Sequence, residues 1–274
     1  MASRCYLMSV SEFWEGIAGE GLFKAALEKV DGERRKKAEG MKARKSRAAC
    51  VGAGLLLQLA VQEALAAAEG TDTGGADAVE SDLADSVSDG KEQSGQSAEA
   101  MGTDCAAADT EGFRVYSALQ VLELVERPIE LVMGYGEKGK PYLRDYPLFF
   151  NLSHSGEYVI CAVSDREIGV DIQKCSDTNV MGIAKRFFVE EECRALEACG
   201  TGEERQQCFF RLWVRKEAYG KLLGKGILGV VSVNLSPDES GMAAEKKLLW
   251  REWSFAEGYK IAVCQRAQTA STAS

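Results

Sequence analysis

The stretch YVICAVSDREIGVDIQK, Tyr158–Lys174, decides how this chain folds. Its two ends are rich in β-branched residues and flank a polar turn at Ser164 to Glu167, so they read as two short strands. In the second strand, alternation puts Val170 and Ile172 on the core face and Asp171 and Gln173 on the other. A carboxylate beside an amide at this spacing offers oxygen ligands to a hard cation such as Mg²⁺. Taken alone, the hexapeptide is better explained as an exposed strand with ordinary polar residues.

Working outward, CYLMSV alternates like a strand and EGLFKAALEKV has helical spacing. AACVGAGLLLQLAVQEALAAA reads as a largely apolar helix that should be buried. In IELVMGYGEKGKPYL a strand runs into a Gly-rich turn, with Pro141 holding Lys140 extended. NVMGIAKRFFVEEECRALEACG reads as one helical stretch closed by Gly200, and CFFRLWVRKEAYGKLLGKG as the strongest helix, stopping at Gly224. LGVVSVNL, LLWREWSFA and YKIAVCQ read as strands. Strands and helices interleave in both halves, which predicts an α/β or α+β protein of two similar-sized units, 1–165 and 166–274.

The formal charge of −9 is concentrated in one place. Glu69 to Glu111 holds twelve acidic residues and one basic, Lys91, leaving +2 for the rest of the chain. That segment is rich in Gly, Ala and Ser and has no aromatic residue, so a disordered insertion is expected at about 69–112. No window approaches about 18 continuous apolar residues, and MASRCYLMSV lacks the pattern of a secretory leader. Nine cysteines without a C-x-x-C pair fit buried thiols in a reducing cytoplasm.

Few catalytic arrangements survive the composition. The one histidine, His154, lies in FNLSHSG between Ser153 and Ser155, and could be a base, a ligand or a buried ring. There is no H-E-x-x-H, no G-x-S-x-G elbow and no Walker A loop. Trp213, Glu217 and Lys221 share one helical stripe, where Glu217 and Lys221 also suit a solvated ion pair.

Together, GKP, FNLSHSG, GVDIQ, AKRFF and WVRKEAYGK, in this order, resemble the 4′-phosphopantetheinyl transferases of the surfactin-synthetase-activating type. The resemblance runs from the basic stretch near Arg34 to GYKIAVC, interrupted by the acidic insertion. It implies a pseudo-dimer of two similar α/β subdomains with coenzyme A in the cleft between them. It also implies transfer of the phosphopantetheine arm to a serine of an apo carrier protein, with release of 3′,5′-ADP. By position, Asp171 and Glu217 match carboxylates that hold Mg²⁺ on the pyrophosphate, and Glu217 also matches the base for the serine hydroxyl. Lys221 matches a lysine that steadies the leaving group. Ser153 and His154 match a phosphate contact, and Lys140, Arg47 and Arg34 match further coenzyme A contacts. Gln173 departs from the pattern, since many members have glutamate there; the amide keeps an oxygen ligand but removes a charge. Mn²⁺ could then serve as well as Mg²⁺. The resemblance further implies a monomer in the cytoplasm, acting on neither nucleic acid nor membrane.

Two other readings remain at this point. Arg34 to Arg47 holds eight basic residues against Glu39, which suits a nucleic-acid-binding module, although the remaining +2 gives no broad basic face. A coenzyme A-binding protein without transfer activity would retain the phosphate contacts, with Gln173 as its mark.

Overall fold

The computed structural model describes residues 3–15, 18–70, 108–110, 113–236, 248–256 and 258–267. Strands β1 (Arg4–Ser9), β2 (Ala108–Thr110), β3 (Phe113–Tyr116), β6 (Phe149–Ser155) and β7 (Tyr158–Ser164) form one sheet in the order β2-β3-β1-β7-β6. Only β1 and β3 pair in parallel within it. Strands β8 (Ile168–Lys174), β9 (Leu248–Phe255) and β10 (Tyr259–Arg266) form a second, antiparallel sheet in the order β8-β10-β9. A small hairpin pairs β4 (Met133–Tyr135) with β5 (Pro141–Leu143).

Alternation sets the layers. Cys5, Leu7, Ile160 and Ala162 face the second sheet, where Ile168, Val170, Ile172, Ile261 and Val263 complete a shared core. From the same strands of the first sheet, Tyr6, Met8, Val159 and Cys161 face the opposite way, onto helices. Those helices are α1 (Gly19–Glu28), α2 (Gly32–Gly40), α3 (Arg44–Gly70) and α4 (Ala118–Leu124). Beyond the second sheet, α7 (Gly202–Leu222) packs Val214, Ala218 and Leu222 on Ala262 and Cys264. The order of layers is helices, sheet, sheet, helix, a mixed α/β architecture.

Helix α3 is apolar all round because both its sides are covered, and every residue from Ala48 to Val61 is buried. By length and composition it could cross a membrane, although no continuous apolar run announces it; here 78% of its most apolar window is buried within the fold.

Two expectations need correction. LGVVSVNL is not a strand: residues 227–229 form a single 3₁₀ turn and the following residues are turns and coil. Its apolar residues are buried for another reason, since Val230 and Leu235 pack beneath α7. The stretch from Asn179 to Gly200 is two helices, α5 (Val180–Phe187) and α6 (Glu190–Glu197). Phe188 and Val189 between them are extended, and the Val189 N–H is taken by Glu192 Oε2 at 3.0 Å. Strands β7 and β8, neighbours in sequence, do not pair but enter different sheets. The expected acidic insertion lies mostly outside the described residues; of it, β2 is described and pairs with β3.

Candidate active site

The site grows from the strand on which the reading began. Gly169 lies directly under α7: a Cβ there would overlap the Ala218 carbonyl and stand 2.7 Å from the Leu222 nitrogen. The missing side chain lets the helix lie against β8, which brings Glu217 and Lys221 down to Asp171. The face of β8 opposite the core is therefore covered, and Asp171 is only 1% exposed.

A buried carboxylate must be partnered. Ser153 Oγ donates to Asp171 Oδ1 at 2.7 Å, and Lys221 Nζ donates to the same oxygen at 2.7 Å. Gln173 Nε2 donates to Oδ2 at 3.2 Å. Lys221 Nζ also reaches Ser153 Oγ at 2.7 Å, which closes a triangle of lysine, serine and aspartate. Lys221 is thus committed to Asp171 across the interface, and the solvated-pair reading with Glu217 falls away.

Glu217 stands beside this triangle, half-buried. Burial, and then the charge of Asp171, push its pKa above the usual carboxylate range, against the pull of Lys221. His154 sits on the opposite face of β6 from Ser153. Partial removal from water, then the positive charges of Lys221 and Lys37, hold its pKa below the ordinary imidazole value, while Asp171 pulls the other way. At neutral pH the ring is therefore a neutral donor and acceptor.

Because the folded-state pKa of Glu217 lies above its unfolded value, its contribution to stability is fully present below the ordinary carboxylate pKa. It is lost as pH rises through the raised value. Glu217→Gln is therefore expected to unfold at higher urea than the parent at pH 7 in chelator, with the gain vanishing near pH 4. Equal urea midpoints at pH 7 would show that Glu217 is not strained in the fold.

The residues fit a divalent cation. Among the described residues, no three His, Cys, Asp or Glu side chains cluster. Mg²⁺ needs only one or two carboxylates when substrate phosphates and water complete its shell. Asp171 and Glu217 are close enough to repel, as the raised Glu217 pKa shows, and a cation between them would relieve that repulsion. Rotation of the Gln173 amide would exchange its donor for an oxygen ligand.

The remaining sequence candidates are dispersed. Lys140 donates to the carbonyls of Leu222 at 2.8 Å and Ile168 at 3.4 Å, which ties the β4–β5 hairpin to the end of α7. It lines a cavity of about 280 Å³ shared with Lys221, Asn151, Gly224 and Gly226. Arg47 stacks its guanidinium 5.0 Å from the Phe23 ring, in a second cavity of about 320 Å³ that also holds Lys42 and Arg44. Arg34 is turned inward, pairing with Asp31 at 3.6 Å and donating to the Cys50 carbonyl at 3.3 Å. Among the described residues, the side-chain polar atoms that are buried without an acceptor are all arginine Nε atoms, of Arg34, Arg35 and Arg47. Arg34 Nε still faces the Asp31 carboxylate, whereas Arg47, at the start of α3, lies in the cavity with Lys42 and Arg44, a basic lining that suits an anionic ligand.

Comparison with known proteins points the same way. A profile of the 4′-phosphopantetheinyl transferase superfamily matches residues 167–264. The 4′-phosphopantetheinyl transferase psf-1 of Bacillus pumilus is 37% identical over 158 residues, 54% of this chain and 67% of the relative. The chain belongs to the 4′-phosphopantetheinyl transferase superfamily. A 4′-phosphopantetheinyl transferase of Bacillus subtilis is 36% identical over 146 residues, 50% of this chain and 64% of that protein. The 4′-phosphopantetheinyl transferase Sfp of Bacillus subtilis (strain 168) is 38% identical over 136 residues, 47% and 60% respectively. These matches span roughly two thirds of the relatives' length.

The profile covers Asp171, Gln173, Glu217 and Lys221 of this superfamily member, whereas Arg34, Arg47, Lys140, Ser153 and His154 lie before it. Three contributors were missed in the sequence. Lys37 is the member of the basic run whose charge reaches His154. Lys216, next to Glu217 in the KEA motif, forms a fully buried ion pair with Glu192 at 2.9 Å. Asn151 accepts from the Val170 N–H at 3.0 Å. Only the basic run carried a signal that could have found one of them.

Proposed function

We propose that this protein transfers the 4′-phosphopantetheine arm of coenzyme A to a serine of an apo carrier protein, releasing 3′,5′-ADP. The observation that carries the reading is the convergence on Asp171, in β8, of Lys221 and Glu217 from α7 and of Ser153 from β6. Phosphoryl transfer needs little covalent chemistry and much positioning and charge neutralisation, which such a cluster supplies. Family membership and the relatives' names support the same activity.

In this reading Glu217 accepts the proton of the carrier serine hydroxyl. The serine oxygen forms a bond to the phosphorus that carries pantetheine, and the bond from that phosphorus to the bridging oxygen breaks. Lys221 steadies the charge left on 3′,5′-ADP. His154, neutral, donates to a phosphate, and the cations around Arg47 take the nucleotide end. Asp171 and Glu217, with Gln173, would hold Mg²⁺ or Mn²⁺, which supplies charge neutralisation on the pyrophosphate. Mirrored layers, with helices outside two facing sheets, support two related subdomains that divide near residue 165 and form the cleft within one chain.

The test is incubation with coenzyme A, Mg²⁺ and an apo carrier protein, followed by mass spectrometry of the carrier. A mass gain of one phosphopantetheine arm is expected. Carriers of fatty-acid, polyketide and peptide synthesis that all remain unmodified would refute the reading.

Gln173 makes a second prediction. Its amide N–H faces Asp171 and its Oε1 accepts from Ser155 Oγ at 3.4 Å. Gln173→Glu replaces a donor to Asp171 with a third negative charge, which only a cation can satisfy. Half-saturating Mg²⁺ is expected to fall several-fold while the maximal rate changes by less than about threefold. Superimposable titrations of the two proteins with Mg²⁺ and Mn²⁺ would exclude Gln173 from the metal's surroundings.

A further inference from the structure

Strands β6 and β8 are terminal strands of different sheets and share no backbone ladder. They are joined instead by side chains. Asn151 Oδ1 accepts from the Val170 N–H at 3.0 Å, Ser153 Oγ from Ile172 N–H at 3.4 Å, and Ser155 Oγ from Lys174 N–H at 3.0 Å. Each rung is offset by 19 residues, so the two strands run in the same direction along the seam. The alternate residues of β8 that lie between the rungs are Asp171 and Gln173. On its other side β8 is fixed by the pairing of Asp171 with Ala262 and of Gln173 with Lys260.

We propose that this side-chain seam sets the position of Asp171 in the cleft, with Asn151 as a positioning residue for that carboxylate; the catalytic part of the inference rests on the transferase reading above. Ser153 belongs to the cluster itself, whereas the hydrogen bond of Asn151 goes to the Val170 backbone and not to Asp171, Glu217 or Lys221. It holds the Gly169–Val170 peptide, one residue ahead of Asp171, and is 8% exposed, so water cannot readily replace its oxygen. With the Val170 rung gone, the remaining backbone rungs of the seam, at Ile172 and Lys174, both lie on the far side of Asp171. The carboxylate can then swing away from Lys221 and Glu217 while the rest of the fold stands.

Asn151→Leu removes the acceptor while keeping the same branched heavy-atom skeleton, and Asn151→Asp retains it. Two readouts separate the seam from the chemistry. Amide exchange at Val170, followed by NMR, needs no activity; it is expected to quicken about tenfold in Asn151→Leu and to stay near the parent in Asn151→Asp. In the transfer assay, kcat is expected to fall about tenfold in Asn151→Leu with KM for coenzyme A within about twofold, and Asn151→Asp should restore kcat to within about threefold. Unchanged Val170 exchange in Asn151→Leu would overturn the seam. Exchange that quickens while kcat holds, or equal loss of kcat in both variants, would overturn the positioning role. A parent that modifies no carrier would refute the transferase reading and leave the seam to be decided by exchange alone.

Discussion

Replacement of Glu217 by alanine is expected to lower phosphopantetheine transfer by about a thousandfold or more, with the fold intact. A positioned base contributes about 10² to 10⁴ in rate, and Glu217 would also hold the divalent cation, so both effects disappear together. Its environment suits a base: burial and Asp171 raise its pKa toward the working pH, which favours its taking a proton from a serine hydroxyl. Removal should not weaken the structure, since an ionised, half-buried carboxylate beside Asp171 opposes folding at neutral pH. The decisive measurement is single-turnover transfer at saturating coenzyme A and carrier, alongside a urea melt. A residual rate within a few-fold of the parent would remove Glu217 from the base role.

One residue earlier, the expected effect is on stability. Lys216→Met should destabilise the protein by about 3–5 kcal/mol, a large share of a typical domain's 5–15 kcal/mol. Lys216 and Glu192 form an ion pair in which neither side chain is exposed. Lys216 Nζ also donates to the Val233 carbonyl at 2.7 Å, and Glu192 Oε1 accepts from the Leu235 N–H at 2.8 Å. The pair therefore ties α6, α7 and the 233–235 segment at one point. Methionine fills the space but leaves Glu192 charged and without a counter-ion. Adding Glu192→Gln removes that charge but keeps one acceptor oxygen for two N–H donors, Leu235 on Oε1 and Val189 on Oε2, so the double variant should regain only part of the loss. Urea denaturation of the four proteins tests this; a single variant within about 1 kcal/mol of the parent would show that the pair contributes little.

Adjacent residues of one motif thus act in different ways, and the sequence did not distinguish them. It did reveal the alternation of β8, the helix carrying Glu217 and Lys221, and the Gly-rich turn before Lys140, because each is a local period or a glycine-proline signal. Partnerships between distant residues were hidden. Nothing local to Lys216 says that it meets Glu192, and nothing in DREI says that the flanking strands part into two sheets. LGVVSVNL misled because an apolar run records burial and not the conformation that achieves it. The break between α5 and α6 was missed because helix propensity is continuous there, and the interruption depends on the Glu192 side chain reaching back to Val189. Arg34 was matched by position in the basic run, yet its guanidinium turns inward to Asp31 and Cys50.

The seam between β6 and β8 also bears on how the protein behaves in concentrated solution. An edge strand with free N–H groups is a template for pairing with another chain, and proteins blunt such edges with bulges, charges or cover. Here the outward N–H groups of Val170, Ile172 and Lys174 on the β8 edge are taken by three short polar side chains from β6. Loss of a rung therefore reopens an adhesive edge in a protein that is still folded, and such variants should associate at concentrations where the parent stays dispersed.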